Sequence, residues 1–320
     1  MPDKHAVFLD LATVNRDDVN LSALETAISH WSHHATTKPN ETAIRIKDAD
    51  VVVSNKVVID REMMQSCNNL KLICIAATGT NNVDLEAAND LGIRVTNVAG
   101  YSTPSVVQQV FSMILSLTTR EAEHTQAVNA GLWQQSDQFC LLDFPFRELH
   151  GQRMGIVGYG GLGKAVAQVA DAFGMEIILA NRPGSEPSPG RVPLQELLPQ
   201  VDILSLHCPL TEQTTNLIGE NELKLMKSDA LLINCARGGV VDEPALAHAL
   251  RSGEIGGAGV DVLTQEPPTG GNPLLDPTIP NLIVTPHIAW ASREARQRLV
   301  NEIAANIDAF YANENRNMVA

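Results

Sequence analysis

MGIVGYGGLGKAVAQVADAFGMEIILANRP, running from Met154 to Pro183, is the stretch that decides the fold. Met154–Val157 is a short apolar run of the kind found in buried parallel strands. Gly158-x-Gly160-x-x-Gly163 follows at once. Leu162–Phe173 then repeats its apolar residues at helical spacing until Gly174, and Glu176–Ala180 reads as a second strand. A glycine triplet alone marks many turns that bind nothing. Here it joins a strand to a helix inside one strand–helix–strand unit, the setting that a dinucleotide-binding turn requires. The helix start offers free N–H groups and a positive dipole end to a pyrophosphate, and the glycines let it approach. At the end of the second strand, where an acid would grip the ribose hydroxyls of NAD, the chain has Asn181 and then Arg182. Asparagine does not repel a 2′-phosphate and arginine can pair with one, which favours NADP(H) over NAD(H) or admits both.

Outward from this unit, strand and helix keep alternating. Ala6–Leu11, Val51–Val53, Leu72–Ala76 and Ile93–Asn97 read as strands. Leu21–His30 and Val83–Gly92 read as helices, the second closed by Gly92. Thr103 can cap, and Pro104 can open, a long helix with Val106, Val110, Phe111, Ile114, Leu115 and Leu117 at helical spacing. The stretch Trp133–Leu149 holds Trp133, Phe139, Phe144 and Phe146 without clear periodicity. It reads equally well as a dimer-facing arm or a packed loop. Alternation resumes at Arg153 and runs to Leu282–Val284, with Pro183–Gly190 as a surface loop. The last helix, Arg293–Tyr311, returns the chain toward its start, and the tail NENRNMVA reads as frayed. The pattern predicts an α/β protein of two domains. A Rossmann-type, doubly wound parallel-sheet nucleotide domain spans 100–286. A smaller, flavodoxin-like α/β substrate domain combines 1–99 with 287–320. The active cleft is expected between them.

Composition narrows the partners. The 320 residues carry 37 Asp and Glu against 23 Lys and Arg, a formal charge of −14. Such a chain lacks the basic character that nucleic-acid backbones or anionic membranes select. Hydrophobic residues at 44% and charged residues at 19% describe a globular protein. No apolar run approaches the roughly 18 residues of a membrane span. The cysteines, Cys67, Cys74, Cys140, Cys208 and Cys235, are odd in number, widely spaced and without a CxxC. They argue against disulfides and a zinc site, predict no metal, and suit the cytoplasm.

Three further segments place a polar residue just after an apolar run: Arg237 in LLINCARGGVVDEPAL, Glu266 in GAGVDVLTQEPP and His287 in LIVTPHIAWAS. Taken singly, they read as an ion pair, a turn cap and a buried histidine. In an open α/β sheet, however, ligands bind at the carboxyl ends of strands, where all three arrive. Together with GYGGLG these segments resemble, in order and spacing, the D-isomer-specific 2-hydroxyacid dehydrogenases, over nearly the whole chain. GYSTPSVVQQ and PHIAWAS look most like the branch of glycerate dehydrogenases and hydroxypyruvate reductases.

The resemblance implies hydride transfer between a nicotinamide cofactor and a small 2-oxo or 2-hydroxy acid, most like hydroxypyruvate and glyoxylate. Arg237 would bind the substrate carboxylate and carbonyl oxygen, His287 would act as the acid–base group, and Glu266 would hold the imidazole in its charged form. Ala77, Thr78 and Gly79 would offer backbone N–H groups to the carboxylate, and Trp290 would shape the pocket. Cofactor contacts are implied for Gly161 and Leu162 at the pyrophosphate, Asn181 and Arg182 at the ribose, and Cys208 and Pro209 by the adenine. They are implied also for Thr214 near the phosphates, Cys235, Ala236 and His287 near the nicotinamide, Asp261 at its carboxamide, and Thr103. A homodimer is implied too. The rival expectations are another 2-oxo acid (pyruvate, phenylpyruvate or a branched-chain acid), a redox role for Cys235, and a non-catalytic nucleotide-sensing scaffold resembling the corepressors of this family.

Overall fold

The computed structural model describes residues 4–186 and 188–320; Pro187, in the expected Pro183–Gly190 surface loop, lies outside the described residues. The chain divides into two compact units, one of the residues up to Ser102 with Trp290–Ala320, the other Thr103–Ala289.

The first unit is built on β1 (His5–Phe8), β2 (His30–His33), β3 (Val51–Ser54), β4 (Leu72–Ile75) and β5 (Arg94–Thr96). They form one parallel sheet in the order β2-β1-β3-β4-β5, the flavodoxin-like arrangement. Every residue of β3 and β4 is buried, as expected of central strands covered on both faces. The crossovers are α1 (Ser22–Ala27), α2 (Pro39–Ile46), α3 (Arg61–Gln65) and α4 (Leu85–Leu91). The Asp84 carboxylate caps α4 by accepting from Ala87 N at 2.9 Å, and Gly92, at φ 69°, ends it as predicted. The helix expected over Leu21–His30 is shorter. It stops at Ala27, and His30 begins β2 on the sheet edge. The HWSH segment shows no apolar alternation, so its strand pairing is set by β1 rather than by a pattern of its own.

The terminal helix Arg293–Tyr311 buries Ala295, Leu299, Val300, Ile303 and Ile307 in the core that holds Phe8, Val51, Val53 and Leu72. The tail beyond it is not frayed. Val319 N donates to Val95 O at 2.9 Å, Val95 N to Ala320 O at 2.8 Å and Asn97 N to Asn317 O at 3.1 Å. A polar tail finds main-chain partners along the open edge of β5, which its composition cannot reveal.

The second unit opens with α5 (Thr103–Thr119) and α6 (Glu121–Asn129). Thr103 is the first residue of α5 rather than a cap before it. There follow β6 (Arg153–Val157), α7 (Gly161–Ala172), β7 (Glu176–Leu179), α8 (Leu194–Leu197), β8 (Ile203–Leu206) and α9 (Glu220–Leu225). Next come β9 (Leu231–Asn234), α10 (Glu243–Ser252), β10 (Gly257–Val260) and β11 (Leu282–Val284). The six strands are parallel, in the order β7-β6-β8-β9-β10-β11. Beyond β7 a single parallel bridge, Ala180 to Val192, stands where a further strand would run. With that rudiment counted, the chain winds outward, reverses at β6 and winds the other way, which is the Rossmann arrangement. The stretch around Trp133 has no regular element and leaves Phe139 92% exposed, with Leu142, Phe146 and Trp133 also at the surface.

The units part at Ser102 and Ala289, each three residues beyond the expected boundary. At the second boundary the cause is local. The buried Asp261 carboxylate accepts from Ile288 N and Ala289 N, both at 2.9 Å, and so ties His287 and its neighbours to the second unit.

Candidate active site

The glycine turn between β6 and α7 uses its glycines in two ways. Gly158, at φ 94°, is pressed against the chain after β8, where an added Cβ would lie 2.6 Å from His207 C. A Cβ on Gly163 would lie 2.1 Å from Gly158 O, so that glycine lets α7 pack on the turn. Gly160 and Gly161 have nothing within 4 Å of an added Cβ. They leave open space over the start of a twelve-residue helix that has no side-chain cap. Leu162 sits in its first turn, where backbone N–H groups lack helical partners. Close packing beneath and space above is a cradle that side chains would fill, and it fits the pyrophosphate of a nicotinamide dinucleotide.

The neighbouring loops are tightly braced. Cys208 is buried beside Gly158. The Thr214 hydroxyl donates to Pro209 O at 2.7 Å and accepts from Thr211 N at 2.7 Å, so it organises the 209–214 turn. Burial pushes the Cys208 and Cys235 thiols up, and Cys235 lies 3.9 Å from the Met113 sulfur. A thiol held protonated in apolar surroundings is a poor redox group. Asn181 N donates to Val192 O at 2.8 Å, and its side-chain oxygen accepts from Ser188 N at 3.2 Å; Arg182 is exposed.

Arg237, Glu266 and His287 follow β9, β10 and β11 in turn, at the carboxyl edge of one sheet. Their loops interlock. An added Cβ on Gly238 would lie 2.0 Å from Leu263 O, so the Arg237 loop packs directly on the loop that leads to Glu266. Glu266 divides its carboxylate: Oε1 accepts from Leu263 N at 2.9 Å, and Oε2 lies 2.6 Å from His287 Nδ1. The turn-cap and the imidazole-holding roles are thus both present in one side chain. With Nδ1 engaged, Nε2 is the nitrogen left to exchange a proton. Arg237 is half-buried; one Nη donates to Ala236 O at 2.7 Å, and the guanidinium pairs with no carboxylate among the described residues.

His287 has φ 53°, in the left-handed region, and its N–H donates to Asp261 O at 2.8 Å and Thr285 O at 2.9 Å. The Asp261 carboxylate accepts from Thr285 Oγ1 at 2.5 Å and from Ile288 and Ala289 N–H. Burial nevertheless pushes this carboxyl up. Asp261 therefore fixes the histidine loop, a function its sequence position does not disclose. Two more braces join segments distant in sequence. Glu243 accepts from Thr264 N and from Asn272 Nδ2, both at 2.6 Å, and steadies the Glu266 loop. Ser105 of α5 donates to Ala289 O at 2.6 Å.

The remaining expected residues lie in the first unit. Ala77, Thr78 and Gly79 follow β4, and their N–H groups meet no acceptor among the described residues. The loop is held instead through Thr78 Oγ1 donating to Val98 O at 2.9 Å and Asn97 Nδ2 donating to Thr78 O at 2.7 Å. Trp290 meets Tyr101 edge-on at 6.3 Å within that unit. Among the described residues no cluster of three or more His, Cys, Asp or Glu could hold a metal, and no helix is long and apolar enough to cross a membrane.

Comparison with known proteins identifies the family. Residues 111–289 match the family model of the D-isomer specific 2-hydroxyacid dehydrogenase NAD binding domain. The chain is 42% identical to a glycerate dehydrogenase of Methylorubrum extorquens over 99% of both chains. It is 36% identical to a hydroxypyruvate reductase of Blautia hydrogenotrophica over 98% of both. The crystal structure of an NADPH-dependent glyoxylate/hydroxypyruvate reductase from Sinorhizobium meliloti, in complex with NADP and malonate, superposes with a TM-score of 0.81 at 26% identity. That match covers 99% of this chain and 97% of the other. The chain belongs to the D-isomer specific 2-hydroxyacid dehydrogenases and is a nicotinamide-dependent oxidoreductase.

Proposed function

We propose that this enzyme reduces hydroxypyruvate to D-glycerate, and glyoxylate to glycolate, with NADPH or NADH. The observation that carries the reading is the 2.6 Å contact between Glu266 and His287, on loops locked to that of Arg237. When bound, a reduced nicotinamide supplies hydride to the substrate's carbonyl carbon. Arg237 presents a planar fork to the carboxylate and carbonyl oxygen. His287 gives a proton from Nε2 to the carbonyl oxygen as the alkoxide forms, and takes it back in the oxidation. Glu266 orients the ring and offsets its charge, and Asp261 holds the loop while lining the carboxamide end of the cofactor site.

Thr103, Gly158, Gly160, Gly161, Leu162, Gly163, Cys208, Pro209, Thr214, Cys235 and Ala236 form the remaining cofactor site, within a nucleotide domain near 100–286. Asn181 and Arg182 in place of an acid support acceptance of NADPH. The exposed Trp133, Phe139, Leu142 and Phe146 support a homodimer, and the cysteine pattern a cytoplasmic location.

The test is initial-rate oxidation of NADPH and NADH with hydroxypyruvate, glyoxylate, pyruvate and phenylpyruvate in parallel. Fast turnover of hydroxypyruvate is expected; rates confined to a bulky 2-oxo acid would overturn the substrate assignment. His287→Ala should lower kcat by about 100- to 10,000-fold, and near-normal turnover would overturn the mechanism.

A further inference from the structure

Many cations of this acidic chain pair with a neighbouring carboxylate. Arg45, Arg61, Arg153, Arg251 and Arg316 each meet a carboxylate at 2.6–3.1 Å. Lys164, in the helix that follows the glycine turn, and Arg182 and Arg191, in the segment that follows β7, form no salt bridge among the described residues. Two of them flank one ring. Lys164 Nζ lies 5.9 Å from the centroid of Tyr159, and Arg191 Cζ lies 6.0 Å from it. Tyr159 is itself a member of the glycine turn. Arg191 also donates to Ala180 O at 3.3 Å, at the end of β7 and two residues before Arg182. The bridge between Ala180 and Val192 fixes this approach, so Arg191 reaches the ribose end of the expected site from a different segment than Arg182 does.

We propose that Arg191, aided by Lys164 and with Tyr159 as the wall between them, completes a receptor for a phosphomonoester on the cofactor's adenosine ribose, making Arg191 a determinant of NADPH use. The inference rests on the reading that the enzyme accepts NADPH. An Asn181–Arg182 pair alone tolerates a 2′-phosphate. A dianion held from one side by a single exposed arginine is weakly discriminated, because exposed ion pairs are screened by solvent. A second guanidinium, half-buried and held by Ala180 O and the Tyr159 face, supplies oriented donors without the cost of ordering a free side chain. No acid stands at the end of β7 to oppose them.

The experiment measures binding of 2′,5′-ADP and 5′-AMP to the purified full chain by titration calorimetry, with no turnover involved. Wild type is expected to prefer 2′,5′-ADP. Arg191→Gln keeps a donor for Ala180 O and removes the charge. It should weaken 2′,5′-ADP about 10- to 100-fold, the worth of a charge-assisted hydrogen bond, with 5′-AMP changed far less. Arg191→Lys should recover part of the loss. Arg61→Gln, the same charge change in the first unit, should alter neither affinity. Should wild type and Arg191→Gln share one preference for 2′,5′-ADP, the assignment of Arg191 is overturned while NADPH acceptance stands. Should wild type bind both nucleotides equally, NADPH selectivity falls and the assignment falls with it.

Discussion

Replacing Gly163 with alanine should separate packing from cofactor binding at the turn. The added Cβ would sit 2.1 Å from Gly158 O, whereas ordinary contact begins near 3.4 Å, so the start of α7 must retreat by more than an ångström. Both atoms belong to backbone or its first branch, and no rotamer change relieves the clash. Overpacking of this kind costs about 1–3 kcal/mol. The better helix propensity of alanine returns at most about 1 kcal/mol. A clash with backbone at 2.1 Å belongs at the upper end of that range, so the net loss is about 2 kcal/mol, which at roughly 2–4 °C per kcal/mol for a unit of this size lowers Tm by about 4–8 °C. The retreat also moves the helix-start N–H groups, and a displacement of that size costs on the order of 100-fold in kcat/KM. Gly161→Ala is the partner experiment. Its Cβ meets nothing within 4 Å, so Tm should hold or rise slightly, yet cofactor affinity should fall because the methyl enters the open space. Thermal melts read by circular dichroism and titration of NADPH by fluorescence decide the matter. A Gly163→Ala protein that melts like wild type, or a Gly161→Ala protein that binds cofactor like wild type, would refute the reasoning.

Glu266→Gln keeps the shape but removes the charge beside His287, so kcat should drop about tenfold, the low end for a half-exposed charge-assisted bond, with Tm nearly unchanged; an unaltered kcat would remove Glu266 from the mechanism. Arg237→Lys keeps the charge but loses the fork, so the KM for hydroxypyruvate should rise more than tenfold, roughly the worth of one charge-assisted bond, as steady-state kinetics would show. In the first unit, Arg296 grips Asp18 at 2.6 and 2.7 Å and holds its carboxyl far below its usual value of 3.8. A lowered acid stabilises the fold above its unfolded pKa and loses that contribution as pH falls through the folded one. The Tm gap between wild type and Asp18→Asn should therefore be constant from neutral pH down to about 4 and close only below it; a gap that closed above pH 5 would contradict the pairing.

Much of the second unit was legible in the sequence because its signals are local. Gly158, Gly160 and Gly163 lie between a strand and a helix, and Arg237, Glu266 and His287 each follow an apolar run, so chain order alone brings them to one sheet edge. What escaped depends on partners distant in sequence. β2 is a strand because β1 offers it an edge, and the tail is ordered because β5 does. Asp261 follows an apolar run as the site residues do, and only the fold shows its carboxylate holding the loop of a residue more than twenty positions later. Glu243 looks like any acid in the first turn of a helix, and only the fold shows it bracing the loop of Glu266.

The left-handed backbone of His287 carries a consequence for evolution as well as for design. A histidine in that region of conformational space costs on the order of 1 kcal/mol or more that glycine would not, and asparagine would bear it more easily. The position is one where chemistry and thermostability make opposite demands. Drift under selection for stability alone would favour a small residue there and silence the enzyme, whereas selection for turnover keeps the imidazole and leaves Asp261, Thr285 and Ser105 to hold the strained turn shut.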